Sequence, residues 1–455
     1  MINRLFKNRY LLTVSQVFTL FIFTLLIYGS IGVTTSDPDF AKVLRNTNLA
    51  NLIVWSYWWP LIIVTAILFG RYWCSICPME LITSFFGKIG LQNKPGKFLR
   101  SGWVITLFYA TILILGIHTL AIHRIPQYMA IYMMILLATA VIVGLIWEKR
   151  TFCTYVCPIG HLLGLYSLLS FSKLRVIDKD TCNSCKTKDC ITKKHHYNFT
   201  GRSCTSELFP PNITDNRNCI LCGQCFNSCT KDNIAIQKRR IASDLFGNIN
   251  LAWAEIAFFM IVSGFVVYEI LSEWQVSKDI IMIIPIWLTQ KLSITGNVVG
   301  TIKALTLFVV LPTIFYFVFA FLKKLIANES WKNGFTQLVL AILPITASMH
   351  LLKALFKTTS RIPYWEFVFS DPMGVDTASN LLQNPDLLQN IFLSNYISPT
   401  VSLVAILLPI LGLILSLYVI KKQVHKNRIS RIISVLAVVI YSSMFIISLL
   451  THIKE

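Results

Sequence analysis

The chain has 455 residues, of which 55% are hydrophobic and only 14% are charged. A soluble globular protein carries roughly 25% charged residues, so the composition excludes an ordinary soluble enzyme and predicts that most of the chain lies in a bilayer. The net charge of +20 does not indicate nucleic-acid binding, because the basic residues lie mainly in loops between apolar segments, where membrane topology places them.

Nine segments are long and apolar enough to cross a bilayer, since a spanning helix needs about 20 mostly apolar residues. The first follows a basic N-terminus, but its apolar run is too long for a signal peptide and no small-residue cleavage site follows it. We therefore predict an uncleaved first helix. The nine predicted spans cover residues 10–33, 51–70, 103–122, 128–147, 251–270, 301–322, 336–356, 399–420 and 431–450.

Basic residues alternate between the loops that join these spans. The N-terminus and the loops after the second, fourth, sixth and eighth spans are rich in Lys and Arg, whereas the opposite loops carry few. The positive-inside rule then places the N-terminus and the basic loops in the cytoplasm and the C-terminus outside.

All twelve cysteines lie between Cys74 and Cys229, and all fall in spacings typical of metal ligands. Two pairs end in proline and follow the second and fourth spans. They are Cys74-x2-Cys77-Pro78 and Cys153-x3-Cys157-Pro158. The other eight lie in a polar stretch, as Cys182, Cys185, Cys190 and Cys204, and as Cys219, Cys222, Cys225 and Cys229.

The last four cysteines form the iron–sulfur run of bacterial ferredoxins. Disulfides fit small secreted domains rather than such close groups. Structural zinc sites also use two-residue gaps, but the three-step run is more specific to iron–sulfur clusters. Because the fourth cysteine of the run ligates the other cluster in two-cluster ferredoxins, we expect two 4Fe-4S clusters with a crossed pairing. One would use Cys204, Cys219, Cys222 and Cys225, and the other Cys182, Cys185, Cys190 and Cys229.

The two Cys-Pro pairs leave three interpretations open. The four cysteines could hold a third cluster at the membrane face. They could form a redox dithiol or a soft-metal site, since thiolates also suit Cu(I). The third interpretation is structural, with each proline starting the next helix. A short internal repeat, in which each pair follows two spans, would place both pairs side by side at the same membrane depth.

Two histidines lie within predicted spans, His118 in the third and His350 in the seventh. Each is about 15 residues from the inner end, so at 1.5 Å per residue both are expected toward the outer side. Ionisable residues inside a membrane are costly and are candidates for function. The pair is therefore a candidate to ligate a haem or bind a quinone, and the alternative is that both are packing histidines.

These patterns predict an all-α polytopic membrane protein of about nine spanning helices, with an inserted small ferredoxin-like α+β domain that carries two clusters. We expect a four-helix membrane domain over residues 1–174 and a cytoplasmic ferredoxin-like domain over residues 175–240. A C-terminal membrane domain of about five helices would cover residues 241–455. No Walker A loop, Rossmann glycine signature or nucleophile elbow is present in the sequence, so no catalytic residue is predicted.

The motifs RYWCSICP, RTFCTYVCPIG and NCILCGQCFNSC resemble those of the membrane polyferredoxins of the NapH, NosR and MauN type, over about residues 1–240. The resemblance implies a multi-pass protein of the bacterial inner membrane that exchanges electrons with the quinol pool or a cytoplasmic donor. It also implies a respiratory pathway or a periplasmic metalloenzyme as the destination. The first pair has a two-residue gap rather than the usual three, and the resemblance does not extend to the C-terminal half.

Three alternative functions therefore follow from the sequence. The first is an electron-transfer component between such a donor and a periplasmic or membrane redox partner. Crossing an apolar core of roughly 30 Å would then require a further carrier, such as a haem or a quinone. The second is a copper reductase or assembly factor for a metalloenzyme. The third is a transporter-like C-terminal half that is gated by the redox state of the clusters.

Overall fold

A computed structural model of the chain describes residues 3, 6–8, 10–198, 201–204, 206–296, 298–423 and 427–452. The described residues are mostly helical, which confirms the predicted helical membrane fold. The predicted ferredoxin-like domain stays a prediction. Eight described helices are long and apolar enough to span a membrane. They are Leu11–Tyr28, Leu49–Leu68, Pro126–Ile146, Trp253–Leu271, Val298–Ala327, Trp331–Glu366, Leu393–Gln423 and Arg428–Leu449.

The predicted third span is shorter than expected. An apolar helix covers Trp103–Ile117, and the chain then leaves the helix instead of continuing to residue 122. The backbone at Ala121 is left-handed, with φ 51°. The sequence from His118 onward also contains several polar residues and ends at Pro126, which cannot continue a helix that precedes it.

The spans are connected by short helices and turns. The helix Gln275–Lys291 was not predicted, because Pro285, Lys278 and Asp279 interrupt its apolar pattern. The other short α-helices are Pro38–Thr47, Trp73–Ile76, Pro78–Ile89, Lys97–Arg100, Gly160–Ser167, Lys179–Asn183, Gln224–Ser228 and Val375–Gln383. Turns of 3₁₀ type cover Lys193–His195, Pro210–Asn212, Ser243–Phe246, Ile362–Glu366 and Pro385–Leu388, and π-helical turns cover Ile53–Trp58, Ile112–Ile117, Phe152–Val156, Thr306–Val310 and Leu393–Ile397.

The chain folds into two compact units that alternate along the sequence. The first comprises Met1–Ile31, Ile62–Phe108 and Ala130–Asp244. The second comprises Gly32–Leu61, Tyr109–Met129 and Leu245–Glu455. All twelve cysteines belong to the first unit. The domain boundaries predicted after residues 174 and 240 stay predictions.

A two-stranded antiparallel sheet supports the polar stretch of the first unit. Strand β1, Ser172–Val176, pairs with strand β2, Ile234–Lys238, in a register that sets Leu174 opposite Ile236. Leu174 also packs with three other buried residues, Leu221, Phe226 and Ile234. Leu221 and Phe226 lie within the cysteine run between Cys219 and Cys229. This small apolar core therefore packs the run against the sheet.

A short strap of backbone hydrogen bonds also belongs to the first unit. The amide of Leu91 donates to the carbonyl of Leu145 at 2.7 Å, and the amide of Asn93 donates to Ile146 at 3.0 Å. Glu148 returns a bond to the carbonyl of Asn93 at 2.9 Å. The strap therefore fastens the segment that follows the first Cys-Pro pair to the segment that precedes the second.

In the second unit, polar side chains fix the loop that precedes the span Leu49–Leu68. Thr47 Oγ1 donates to the carbonyl of Gly374 at 2.7 Å, and Asn48 Nδ2 donates to Met373 at 3.1 Å. Gly374 has φ +77°, and a Cβ there would lie 2.3 Å from the carbonyl carbon of Thr47. Only glycine meets both requirements, so this close approach holds the helix Pro38–Thr47 in place.

Candidate metal centres

The two Cys-Pro pairs lie where one short helical turn ends and another helix begins. Cys77 is extended, with φ −65° and ψ 130°, and Pro78 starts the helix Pro78–Ile89. Cys157, with φ −52° and ψ 117°, likewise ends the turn Phe152–Val156. A proline disfavours helical geometry in the residue before it and suits the first turn of a helix. Pro78 therefore presents Cys77 at a helix start, and Pro158 lies two residues before the helix Gly160–Ser167.

The four cysteines of these pairs come together in the first unit. Burial is the main reason that the pKa of the Cys77 thiol is raised well above its ordinary value, and the thiols of Cys153, Cys74 and Cys157 raise it further. Burial and the neighbouring Cys74 also raise the pKa of Cys157 to about 12. Thiols that perturb one another in this way are mutual neighbours. A bound metal must deprotonate them, and its positive charge offsets their repulsion.

A second set of four cysteines lines one cavity, which is also bordered by Asn233. Burial raises the pKa of Cys190 to about 12, with further contributions from Cys229 and Cys182. Asn233 Nδ2 donates to the sulfur of Cys182 at 3.1 Å. The set comprises Cys182, Cys185, Cys190 and Cys229.

A third set lines another cavity together with Arg150 and Arg202. The turn within this set uses a glycine, Gly223, at φ +70°, a conformation that other residues rarely adopt. Burial raises the pKa of Cys219 to about 12, and neighbouring thiols in the set contribute. The set comprises Cys204, Cys219, Cys222 and Cys225.

The second and third sets each bring together four cysteines that the crossed pairing would join, and the pairing itself stays a prediction. Cys229, which ends the run, borders the cavity of the second set, whereas Cys204 joins the other three members of the run. The amide of Cys204 donates to the carbonyl of Cys190 at 2.6 Å, so backbone atoms connect the two sets directly. Neighbouring sets of this kind are suited to a relay of electrons.

All twelve cysteines are free thiols, and the described part of the chain contains no three His, Cys, Asp or Glu side chains arranged around a single ion. A tetrahedral zinc ion brings its sulfur ligands to within about 4 Å of one another, because each Zn–S bond is about 2.3 Å. A cubane cluster holds its four thiolates farther apart, since each binds a different iron.

Sequence reasoning missed a buried ion network that lies beside these sulfurs. Arg150 and Glu80 form an ion pair, and the side chain of each is only 1% exposed. Arg202 Nη2 donates to Glu80 Oε2 at 3.0 Å, and Ser84 Oγ donates to Glu80 Oε1 at 3.1 Å. Burial alone would raise the pKa of Glu80, but the guanidinium groups of Arg150 and Arg202 hold it below its ordinary value.

Arg150 also contacts the cysteines themselves. It shares a hydrogen bond with Cys222, and Cys153 lies within electrostatic range. Burial would lower the pKa of Arg150, but Cys222, Glu80 and Cys153 together raise it. One guanidinium therefore links the first cysteine set with the third. The available signal in the sequence was the position of Arg150 three residues before Cys153.

His118 and His350 both lie in the second unit, where packed aromatic rings connect them. The ring of His118 lies 4.9 Å from that of Phe308, Phe308 lies 5.7 Å from Phe265, and Phe265 lies 6.2 Å from His350. The Nε2 atom of His118 is buried without a hydrogen-bond partner. A haem held by both imidazoles would require the two phenyl rings to move. The haem or quinone site stays a prediction.

Two segments of the chain, residues 51–97 and 129–176, match a family described as a 4Fe-4S binding domain. Each matched segment contains one of the two Cys-Pro pairs. The match therefore covers the first cysteine set and lies outside the other two.

Several known proteins are similar to parts of the chain. Two uncharacterised proteins of Methanocaldococcus jannaschii are 26% identical over 240 residues, which are 51% of this chain and 88% of that protein, and 25% identical over 193 residues, which are 38% and 75%. The ferredoxin-type protein NapH of Escherichia coli is 26% identical over 91 residues, which are 20% of this chain and 31% of NapH. No solved structure matches the chain. Together, these similarities support a polyferredoxin-type, multi-pass membrane protein that binds 4Fe-4S clusters and transfers electrons.

Proposed function

We propose that this protein carries electrons through three 4Fe-4S clusters at the cytoplasmic face of a bacterial inner membrane. Electrons would pass between the quinol pool or a cytoplasmic donor and a respiratory partner or periplasmic metalloenzyme. The observation that carries the proposal is the grouping of all twelve cysteines into three neighbouring sets of four. Four thiolates are the number of ligands that one cubane cluster takes.

The family match supports a cluster, rather than copper, at the Cys-Pro pairs. The matched segments are defined by 4Fe-4S binding and contain Cys74 and Cys77 in one copy, and Cys153 and Cys157 in the other. The internal repeat of the sequence also supports a cluster at the Cys-Pro pairs, because each copy of the repeat contributes two of the four thiolates.

The side chains of this protein would hold the clusters and set their potentials. Each bound cluster supplies a centre that takes up and releases one electron. The extended backbone before each proline orients the sulfurs, and Asn233 donates to the sulfur of Cys182, which favours the reduced state at that site. Arg150 offers positive charge to Cys222 and Cys153, so it lowers the cost of placing electrons on two neighbouring sets.

Iron and sulfide analysis of anaerobically purified protein tests the proposal. Three cubanes require about twelve iron atoms and about twelve sulfides per chain, because each holds four of both. After reduction with dithionite, the paramagnetic resonance spectrum should show interacting cluster signals. About eight iron atoms together with bound copper would contradict a cluster at the Cys-Pro pairs.

Substitution of single cysteines separates the three sites. Cys153→Ser and Cys182→Ser should each remove about four iron atoms per chain, since each disrupts a different cubane. Thr154→Ala is the matched control, because it alters the residue next to Cys153 without removing a thiolate, and it should retain the full iron content. Loss of all iron in both cysteine variants would show misfolding rather than separate sites.

A further inference from the structure

Four positively charged side chains converge within the second unit, which contains no cysteine. Arg45 lies within electrostatic range of Arg361 and Arg124, and Lys357 lies within range of Arg45 and Arg361. His123 lies beside Lys357, Arg124 and Arg45. We call these residues the cationic cluster: Arg45, Arg124, Lys357 and Arg361.

Hydrogen bonds hold the segments of the cationic cluster in fixed positions. Asn51 Nδ2 donates to the carbonyls of Arg45, at 3.0 Å, and His123, at 3.3 Å. Thr358 Oγ1 donates to the carbonyl of Ser56 at 2.9 Å, which fastens the end of the long helix next to Lys357. The cationic side chains are therefore brought together by the fold itself.

In the part of the chain that the structure describes, the cationic cluster has no direct ion pair, although Glu269 lies within electrostatic range of Arg45 and Lys357. Within the described residues, no carboxylate forms an ion pair with any of its four members. The two nearby carboxylates, Glu269 and Glu273, both pair with Lys353, and the Glu269 contact is 3.1 Å. Four cations held together with reduced access to water repel one another at a cost of about 1 kcal/mol or more per close pair. A bound anion would remove that cost.

Two buried donors at the cationic cluster also lack partners. Arg45 Nε and His123 Nδ1 are both buried without a hydrogen bond. Arg124 Nε donates to His123 Nε2 at 3.3 Å, so the Nε2 atom accepts and the proton of a neutral imidazole lies on Nδ1. Two unused N–H groups beside unpaired positive charge are the donors that an oxyanion requires.

An aromatic wall and unusual helix geometry border the same place. The ammonium of Lys357 lies 5.9 Å from the ring centroid of Trp55, and the ring of His123 lies 6.4 Å from it. Trp55 belongs to the π-helical turn Ile53–Trp58, and a second such turn, Ile112–Ile117, ends before the loop that contains His123. Interruptions of this kind occur frequently at functional sites.

We propose that the cationic cluster binds a phosphate-type oxyanion, with the side chains of its four members as charge partners and His123 Nδ1–H as a neutral donor. Guanidinium groups match the oxygen spacing of phosphate and can donate two parallel hydrogen bonds. Because the cluster borders the ends of apolar spans, the phosphate can come either from solution or from the head group of an anionic lipid.

Binding of inorganic phosphate to the detergent-purified full chain tests this site. Phosphate should bind saturably by calorimetry and raise the unfolding temperature, whereas chloride at matched ionic strength should not. Arg45→Gln and Lys357→Met should each weaken phosphate binding by about tenfold or more, because each removes a charge-assisted contact. Without phosphate, both variants should be at least as stable as the wild type, since each relieves repulsion.

The matched control is Lys42→Gln, on the same helix as Arg45. Lys42 is exposed and pairs with Asp39 at 2.7 Å, so its loss should leave phosphate affinity unchanged. Equal stabilisation by chloride, or an unchanged affinity in Arg45→Gln, would overturn the proposal. A loss of stability in phosphate-free Arg45→Gln would do so too, because it would show that the cations serve packing.

The source of the phosphate is distinguished in nanodiscs. If a lipid supplies it, native mass spectrometry should show phosphatidylglycerol retained by the wild type and released from Lys357→Met, with phosphatidylcholine retained by neither. If the solution supplies it, the calorimetric signal for inorganic phosphate should persist unchanged in phosphatidylglycerol nanodiscs. Failure to bind either form rules out the site, and iron analysis of the same samples would be unaffected.

Discussion

Arg150 is the residue at which two of the proposed cluster sites meet. Its guanidinium is buried, pairs with Glu80 and contacts Cys222 while lying near Cys153. The potential of an iron–sulfur cluster depends on net charge and on hydrogen bonds to its sulfurs. A single buried positive charge shared by two sites should therefore raise the reduction potential of both.

The substitution Arg150→Gln should lower the midpoint potentials of two clusters and leave the third unchanged. At an effective dielectric constant near 20, loss of one charge at this range corresponds to a shift on the order of 100 mV for a one-electron couple. Potentiometric titration followed by paramagnetic resonance measures the three midpoints separately. The set of Cys182, Cys185, Cys190 and Cys229 provides the internal reference, because Arg150 does not line its cavity.

Lys149→Gln is the matched control for this prediction. It removes the same charge one residue earlier, but Lys149 pairs with Glu148 and Glu207 instead of a thiol. The midpoint potentials of the clusters in Lys149→Gln should stay close to those in the wild type. Equal shifts in the two variants, or a shift of all three clusters, would show that Arg150 acts only through the overall charge.

Residue-level prediction is possible where the signal is local. The spacing of Cys219, Cys222 and Cys225 is a property of one short segment, and the crossed pairing with Cys204 follows from the chemistry of such runs. The Glu80–Arg150 pair joins residues 70 positions apart, and nothing near either residue indicates its partner. The same holds for Arg45 and Arg361, which approach only because the fold returns the chain to the same place.

At the level of elements, the strap near Gly90 connects the segments that carry the two Cys-Pro pairs. A Cβ at residue 90 would lie 2.3 Å from the carbonyl oxygen of Leu145. The backbone of Gly90 itself, with φ −82° and ψ −174°, is accessible to any residue. The glycine is therefore required by the close approach of two chains and not by its conformation.

Gly90→Ala should destabilise the first unit by about 1–3 kcal/mol, because the added methyl group forces the strap apart. The strap aligns the two halves of the first cysteine set, so its distortion should release the cluster at that set. The iron content should therefore fall from about twelve toward about eight atoms per chain, because each cubane holds four. Thermal unfolding and iron analysis of the purified protein measure the two effects.

Gly96→Ala serves as the comparison for the strap. A Cβ at Gly96 meets nothing within 4 Å, so this variant should match the wild type in both stability and iron. If Gly90→Ala behaved in the same way, the strap would have no part in aligning the cysteines.

Apolar periodicity was sufficient to predict eight of the spans but not the elements between them. The helix Gln275–Lys291 escaped prediction because it contains a proline and three charges within 17 residues. The end of the helix Trp103–Ile117 was placed too late because Leu120 and Ile122 continue the apolar run after the helix has ended. Composition reports how apolar a segment is, whereas the end of a helix depends on local backbone geometry.

For the whole molecule, the short helix Trp103–Ile117 decides the topology. At 1.5 Å per residue it is about 22 Å long, less than the roughly 30 Å of a hydrocarbon core. By length alone it need not cross. However, Cys77 and Cys153 are neighbours in the first unit, so they must lie on the same side of the membrane.

An even number of crossings must therefore separate these two cysteines. The helix Pro126–Ile146 supplies one crossing, and the only other apolar helix among the described residues between them is Trp103–Ile117. We expect this short helix to cross, either with local thinning of the bilayer or with its polar outer loop drawn below the surface. This gives nine crossings, the number that the alternation of basic loops also requires.

Reporter fusions along the chain test this topology. Green fluorescent protein should be fluorescent when joined after residues 94 and 150, and alkaline phosphatase should be active after residues 123 and 452, because nine crossings place the first pair in the cytoplasm and the second outside. If the short helix does not cross, residue 123 lies in the cytoplasm and residue 150 lies outside. Green fluorescent protein would then be fluorescent after residue 123 and not after residue 150, and the result at residue 94 would be unchanged. That result would place the two Cys-Pro pairs on opposite sides of the membrane, where no single cluster could join them.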